Sequence, residues 1–153
     1  MLKNTVDLQE KYQLFVKEAV KECFVYTLVG DGESALCTSQ DFTDGNGDEC
    51  PLICFWSSQP RALVCKKDEW SDFSLKTLSL AEFLENWCIG MSADLVVVGV
   101  NFDQNLFGRE AAPLSLALDL LEEIKHQQKE LHFKRYPDAE QFKAAVEILL
   151  NDD

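Results

Sequence analysis

The spacing of apolar residues predicts helices at both ends of the chain. Between residues 6 and 23, and again after Pro113 and after Asp138, apolar positions recur at the spacing that places them on one face of a helix. These faces are formed by Leu8, Tyr12, Phe15, Val16, Ala19 and Val20, then by Leu114, Ala117, Leu118, Leu121 and Ile124, and finally by Phe142, Ala145, Val146, Leu149 and Leu150. We therefore predict one N-terminal helix and two C-terminal helices.

Two further helices are predicted in the middle of the chain. In residues 78–88, Ser79 is placed to cap the first-turn amides, and Glu82 is placed to bond back to the Ser79 amide. Gly90 is placed to end this helix. A shorter helix is predicted from Pro60, because proline suits the first position of a helix.

The segments between these helices are rich in β-branched and aromatic residues, which predicts strands. The predicted strands cover residues 23–29, 33–38, 50–56, 94–102 and 105–111. The Gly-Asp-Gly sequence between the first two is typical of a hairpin. Because strands joined by short turns run antiparallel, we predict the α+β class. The expected architecture is a mainly antiparallel sheet of about five strands packed against helices in a two-layer or three-layer sandwich.

Length and composition bear on the domain organisation and on the class of partner. The chain has 153 residues, of which 46% are hydrophobic and 27% are charged, and this suits a folded domain. We predict a single α+β domain over residues 1–130 and a C-terminal helical extension over residues 131–153 that packs on it. The formal net charge of −13 disfavours nucleic acid and anionic membranes as partners.

The N-terminal sequence and the short apolar runs predict a cytoplasmic protein. "MLKNTVDLQEKYQLF" is charged and amphipathic and lacks the apolar region of a secretory signal. The longest apolar runs, "LVVVGV" and "PLICFW", are far shorter than the roughly 20 residues that cross a bilayer. The excess of acidic residues has two interpretations, which are a solvated soluble surface and a face for a basic partner or toxin.

The segment "DFTDGNGDECPL" (41–52) resembles the start of a calcium-binding loop. Asp44, Asn46 and Asp48 have the spacing of the first three ligands of an EF-hand. However, Glu49 stands where that loop needs glycine, and Phe55 stands where it needs a bidentate glutamate. Asp-Gly and Asn-Gly are also favoured in tight turns. The segment therefore predicts a turn, and we predict no metal site.

The six cysteines are predicted to be reduced core thiols. They are Cys23, Cys37, Cys50, Cys54, Cys65 and Cys88. Cys50 and Cys54 would lie roughly 13 Å apart on a strand, and the close cysteine pairs of zinc sites are missing. The two histidines, His126 and His132, lie on the polar end of a predicted helix, which disfavours a Cys–His catalytic pair. We predict no cofactor.

Five acidic residues near hairpin ends form a weak candidate for catalysis. They are Asp31, Glu33, Asp44, Asp48 and Glu49. Paired carboxylates can carry acid–base chemistry if hairpin ends bring them together, although such residues are most often solvated. The sequence contains no nucleophile-elbow, P-loop or dinucleotide-binding motif. We therefore expect no catalytic residue.

Four aromatic residues form the candidate surface for a partner or a ligand. They are Phe55, Trp56, Trp70 and Trp87, each of which lies near a polar turn. Tryptophan is seldom fully buried, and aromatic residues at the ends of elements often line clefts or interfaces. The alternative is that these four side chains pack in the core.

The segments "YQLFVKEAV", "GDECPLICFWSSQPRALV", "LSLAEFLENWCIGM" and "DLVVVGVNF" resemble an uncharacterised bacterial family, domain of unknown function 2750. The resemblance covers roughly residues 10–125. The matching positions are Tyr12, Phe15, Gly47, Pro51, Trp56, Ala62, Phe83, Leu84 and Trp87. The resemblance implies an α+β fold and supplies no activity, catalytic residue or cofactor.

We expect a non-catalytic module that binds a protein partner or associates with itself. One alternative is an immunity or antitoxin protein that neutralises a basic toxin through the acidic surface. Another alternative is a small-molecule hydrolase that uses the hairpin carboxylates.

Overall fold

The computed structural model describes residues 5–151. The helices are α1 (Thr5–Glu22), α2 (Gln59–Leu63), α3 (Leu80–Glu82), α4 (Ile89–Ala93), α5 (Pro113–His126) and α6 (Ala139–Asn151), and a π-helical segment (Phe83–Cys88) joins α3 to α4. The strands are β1 (Phe24–Gly30), β2 (Glu33–Ser34), β3 (Leu36–Thr43), β4 (Glu49–Phe55), β5 (Ser74–Ser79), β6 (Val97–Val100) and β7 (Arg109–Ala111). None of the helices in this part of the chain has the length and apolar character needed to cross a membrane.

The strands form two sheets, which confirms the α+β class. One sheet has the order β2-β1-β5 and the other has the order β3-β4-β6-β7. The pairs are antiparallel except β4–β6, which is parallel. The seven strands exceed the predicted number because the segment after Trp70 contributes β5 and because Ala35 divides the second predicted strand. The parallel pair arises because α2, β5, α3 and α4 lie between β4 and β6, and such a crossover lets two strands run the same way.

Backbone hydrogen bonds join the two sheets. The Ala35 amide donates to the Leu28 carbonyl at 3.0 Å, and the Ala35 carbonyl accepts from the Cys54 amide at 3.0 Å. Tyr26 and Trp56 also exchange backbone hydrogen bonds, at 2.9 and 2.8 Å. Strand β1 is therefore linked to both β5 and the end of β4.

Two apolar cores cover the opposite faces of β4. Ile53 and Phe55 contact the larger core, which α1, α5 and α6 help to form, whereas Leu52 and Cys54 belong to the smaller core. The smaller core consists of Leu28, Ala35, Cys50, Leu52, Cys54, Trp56, Ala62, Cys65, Trp70, Val97 and Phe102. Successive side chains of a strand point to opposite faces, so burial on both sides accounts for the uninterrupted apolar run in β4.

Local capping and turn signals act mostly as predicted. Asp31 and Gly32 form the β1–β2 turn, with φ angles of 50° and 79°. The Ser79 hydroxyl accepts from the Glu82 amide at 3.1 Å, which caps α3. The prediction that Gly90 ends this helix is wrong, because helical conformation continues to Ala93 and buries Met91.

The segment after α5 is attached to the rest of the fold through the buried carboxylate of Glu85. This carboxylate accepts hydrogen bonds from the amides of Lys134, at 2.9 Å, and Arg135, at 2.8 Å. Helix α6 adds Phe142 and Val146 to the larger core. The backbone amides satisfy the Glu85 carboxylate, so this buried acid anchors the C-terminal segment.

Candidate functional site

The structure places two of the four candidate aromatic residues inside the protein. Phe55 and Trp56 are both fully buried, in the larger and the smaller core respectively. The indole Nε1 of Trp56 donates to the Phe102 carbonyl at 2.8 Å, so its polar atom is also satisfied. Neither side chain is exposed in this fold, and a contact surface cannot be built on them.

The other two candidate aromatic residues line surface depressions. Trp70 is 7% exposed and packs edge-on against Trp56, with ring centroids 6.3 Å apart. Trp87 is partly buried against Phe55, with ring centroids 5.5 Å apart. Together with Ile53 it lines a shallow cleft of about 290 Å³. The larger depression, at Trp70, is the better candidate for a site because three separate segments form it.

We call this depression the edge cleft. It has a volume of about 540 Å³, and its walls come from β3, from the segment after α2 and from the loop after β6. The lining residues are Leu36, Cys37, Thr38, Cys65, Lys67, Asp68, Glu69, Trp70, Gln104, Asn105 and Leu106. Since neighbouring residues of a strand point to opposite faces, a cleft lined by three consecutive β3 residues must border the edge of that strand.

The bordering edge of β3 is unpaired. Strand β3 lies at the end of its sheet and pairs with β4 alone among the strands of residues 5–151. An edge strand presents backbone donors and acceptors that can pair with another chain, and proteins often protect such edges with charged residues or proline. The cleft portion of β3, Leu36 to Thr38, contains neither kind of residue.

Two exposed leucines stand at the rim of the edge cleft. The side chains of Leu36 and Leu106 are 48% and 46% exposed, and Trp70 belongs to the wall formed by the segment after α2. Leu106 also has a φ of 62°, a left-handed conformation that is costly for a bulky residue. The cleft therefore combines exposed apolar side chains with local backbone strain.

Asp103 holds Leu106 in this conformation. Its carboxylate oxygen Oδ1 accepts from the amides of Asn105 and Phe107, at 2.9 and 3.1 Å, and its carbonyl accepts from the Leu106 amide at 2.8 Å. The Lys11 ammonium lies 3.5 Å from the other carboxylate oxygen. Burial raises the pKa of Asp103, but the two amides and Lys11 outweigh it and hold that pKa below its ordinary value.

The edge cleft is also lined by two cysteines, Cys37 and Cys65, that are distant from each other in the sequence. The sulfur of Cys37 lies 4.0 Å from the sulfur of Cys54, on the neighbouring strand. The Cys65 thiol donates to the carbonyls of Phe102 and Asp103, at 3.3 and 3.4 Å. Burial is the main reason that the pKa of Cys65 is raised. Sequence spacing drew attention to Cys50 and Cys54, which are four residues apart. The Cys37–Cys54 pair is revealed only by the strand register.

The five candidate carboxylates lie away from these depressions. Asp31 and Glu33 are exposed in the β1–β2 hairpin, whereas Asp44 and Asp48 lie in the β3–β4 turn and Glu49 is the first residue of β4. None of the five lines the edge cleft or the cleft at Trp87. The Asp44 carboxylate accepts from the backbone amides of Asn46 and Asp48, at 2.8 and 3.1 Å, so it organises the turn.

A third depression is a groove of about 450 Å³ between α1 and α5, which we call the helix groove. Its lining residues are Gln9, Tyr12, Gln13, Val16, Lys17, Asp119, Glu122, Glu123 and His126. The Tyr12 hydroxyl donates to Asp119, and the Arg109 guanidinium lies 4.4 Å from the centre of the Tyr12 ring. Burial, followed by the bond to Asp119, raises the pKa of Tyr12 well above its ordinary value. Three carboxylates against one lysine give the groove an acidic character.

Comparison with known proteins agrees with the sequence resemblance. A family model described as a protein of unknown function, DUF2750, matches residues 12–120. No curated protein and no solved structure matches the chain. The positions that carry the resemblance are mostly core or turn positions: Tyr12, Phe15, Trp56, Ala62, Phe83 and Leu84 are buried, and Gly47 has a φ of 82°. Because the match runs from α1 into α5 and includes the smaller core and most of the larger core, this chain belongs to the DUF2750 family.

Proposed function

We propose that this protein is a cytoplasmic, non-catalytic bacterial interaction module that binds an extended segment of a protein partner at the edge cleft. The observation that supports this proposal most directly is the unpaired edge of β3 beside the exposed side chains of Leu36 and Leu106. An extended peptide that adds to such an edge gains backbone hydrogen bonds from the strand and specificity from side-chain contacts in the adjoining depression.

The geometry of the cleft indicates which residues the partner segment should carry. Successive side chains of an added strand point to opposite faces, so one set would face Trp70 on the Cys37 face of β3, and the other set would lie beside Leu36 on the opposite face. Apolar residues at these positions would remove exposed leucine surface from water. Asp68 and Glu69 outnumber Lys67 in the cleft wall, so flanking basic residues are favoured over acidic ones.

Leu36 provides the test of the binding site, and Leu95 provides its control. Both leucines are exposed, at 48% and 58%, but Leu95 lies two residues after the end of α4 and does not line the edge cleft. We expect Leu36→Lys to lose the partner and Leu95→Lys to retain it, because a lysine on a strand edge opposes strand addition.

The measurement is quantitative affinity capture from bacterial lysate with both variants and the wild type, followed by cross-linking through Lys67. A specific partner should be captured by the wild type and the Leu95→Lys variant and should cross-link at Lys67. Ultracentrifugation of the purified protein tests whether a second copy is that partner. Equal capture by both variants, or cross-links confined to other lysines, would contradict the proposal.

The helix groove supports a second candidate, an immunity-type protein that neutralises a basic toxin. Asp119, Glu122 and Glu123 line this groove and would face a cationic surface. The Glu122→Lys variant should weaken such a complex, and raised salt should weaken it further because the contact is electrostatic. Binding that Glu122→Lys and salt leave unchanged would exclude this candidate.

A further inference from the structure

Two thiols occupy adjacent strands at the edge cleft. Cys37 lies opposite Leu52 in the β3–β4 register, so Cys54 is its diagonal neighbour on the same face of the sheet. Their sulfur atoms are 4.0 Å apart and form a weak hydrogen bond. Both thiols are reduced in this structure.

The two thiols differ in access and in acidity. Cys37 lines the edge cleft and is partly exposed, whereas Cys54 is fully buried behind it. The hydrogen bond with Cys54 lowers the pKa of Cys37 below its usual value, against the opposing effects of burial, Glu69 and Glu110. The same bond and burial raise the pKa of Cys54. An oxidant that enters the cleft therefore meets the more reactive thiol first, because the thiolate is the reacting form.

We propose that Cys37 and Cys54 are a peroxide-sensitive pair that closes reversibly into a disulfide at the edge cleft. The Cys37 thiolate attacks one peroxide oxygen, the O–O bond breaks, and hydroxide leaves with the electron pair. The product is a sulfenic acid on Cys37. The Cys54 sulfur then attacks the Cys37 sulfur, the S–O bond breaks, and water leaves. In total, two thiols and one hydrogen peroxide give one disulfide and two waters.

Closure of this pair requires movement of β3. The sulfur atoms must approach from 4.0 Å to about 2 Å, and diagonal neighbours, roughly 7–8 Å apart, lie beyond the span that a disulfide bridges without backbone movement. Movement is easier for β3 than for β4, because β3 is an edge strand whereas β4 pairs on both sides. The part of β3 that must move is the part around Cys37, since the Glu110 carboxylate holds the strand further along through Ser39 and Gln40. Oxidation would therefore displace one wall of the edge cleft.

This displacement connects the thiol pair to partner binding, and this connection alone rests on the proposed function. Partner residues seated on the edge of β3 would contact the strand at Leu36, next to Cys37. Closure of the disulfide moves that edge, so the oxidised protein should bind the partner of the edge cleft more weakly than the reduced protein does. Formation of the disulfide itself needs no partner.

The test is oxidation of the purified, reduced protein with hydrogen peroxide, followed by alkylation of the remaining thiols and peptide mapping by mass spectrometry. We expect the peptides that contain Cys37 and Cys54 to be linked, with two thiols lost per chain and recovered after a dithiol reductant. The Cys23→Ser variant is the matched control, because Cys23 is also partly exposed and its thiol donates only to the nearby Val20 carbonyl, at 3.3 Å. This variant should give the same linked peptides.

The Cys54→Ser variant separates a pair from a lone reactive thiol. Without Cys54 the sulfenic acid on Cys37 should persist and be trapped by dimedone, whereas in the wild type it should be short-lived. Circular dichroism checks that this core variant folds, and the wild-type peptide map decides the question if it does not. Linkage of Cys37 to Cys65, overoxidation of Cys37 at equal rates with and without Cys54, or oxidation confined to Cys23 would each overturn the proposal.

Discussion

Two loops of this protein have the same backbone design but different surroundings. In residues 44–48 and 103–107, an aspartate oxygen accepts from the amides two and four residues later, and the aspartate amide donates to the carbonyl four residues later. The first loop carries Gly47 at its left-handed position, whereas the second carries Leu106 there. The comparison shows that aspartate hydrogen bonds fix the loop shape, while the residue at the left-handed position depends on what the loop contacts.

The difference between the loops coincides with the candidate site. A side chain added at Gly47 would meet open space, and no depression described above includes that loop. Leu106 forms part of the rim of the edge cleft and remains exposed despite an unfavourable φ. Backbone strain persists where a surrounding structure enforces it, and it is common at functional sites. In the second loop, an unfavourable backbone conformation at Leu106 therefore places an apolar side chain at the edge cleft.

The largest expected effect comes from removal of the loop aspartates. We expect Asp103→Ala to lower the free energy of unfolding by about 2 kcal/mol, because two amides lose a charged acceptor and Lys11 loses its ion pair. Asp44→Ala should cost only about 1 kcal/mol, since the amides of both loops are exposed to water but no ion pair to the Asp44 carboxylate is found among residues 5–151. Urea denaturation measures both values, and equal losses would show that the two surroundings do not matter.

A smaller effect is expected when the residues at the left-handed position are exchanged. Gly47→Leu should destabilise the fold by about 1–2 kcal/mol, the cost of a left-handed L-residue. Leu106→Gly should stabilise it by only about 0.5 kcal/mol, since the chain entropy of glycine offsets most of the relieved strain. Thermal unfolding measures these changes, and partner capture by Leu106→Gly should decrease. Stabilisation without loss of binding would remove Leu106 from the proposed site.

The smallest effect is the pH dependence contributed by Asp103. Its folded-state pKa is below its unfolded value, so it stabilises the fold above the unfolded pKa, and this contribution disappears as the pH falls through the folded pKa. The Asp103→Asn variant lacks this contribution. Its stability should therefore decline less steeply than that of the wild type on acidification below about pH 4, where aspartate titrates. Parallel stability curves for the two proteins in that range would contradict this assignment.

Local features of the fold were readable from the sequence because their partner atoms lie a few residues apart. The Asp31–Gly32 turn, the Ser79 cap and the Asp138 cap, whose oxygen accepts from the Gln141 amide at 2.9 Å, belong to this group. The second aspartate loop, at residues 103–107, could also be predicted from the sequence. Its Asp-x-Asn spacing at 103–105 repeats that at 44–46, but leucine at the left-handed position concealed it.

The candidate site was not readable, because its parts are distant along the chain. The edge cleft combines residues 36–38, 65–70 and 104–106, and the Cys37–Cys54 pair depends on the β3–β4 register. The aromatic residues illustrate the same point. Trp56 and Trp70 lie close together in the smaller core, but Trp56 is fully buried whereas Trp70 lines the edge cleft. Composition and spacing carry no information about that distinction.

The sequence by itself determined most of the helices and strands, the Ser79 cap, the Asp31–Gly32 turn and the family. These properties follow from local hydrogen bonding and from the periodicity of apolar residues. Only the tertiary structure decided that β4 and β6 run parallel, that β3 is left as an edge and that two thiols meet beside it. The physical reason is that strand order and register come from long-range pairing, in which residues far apart in sequence compete to bury the same surface.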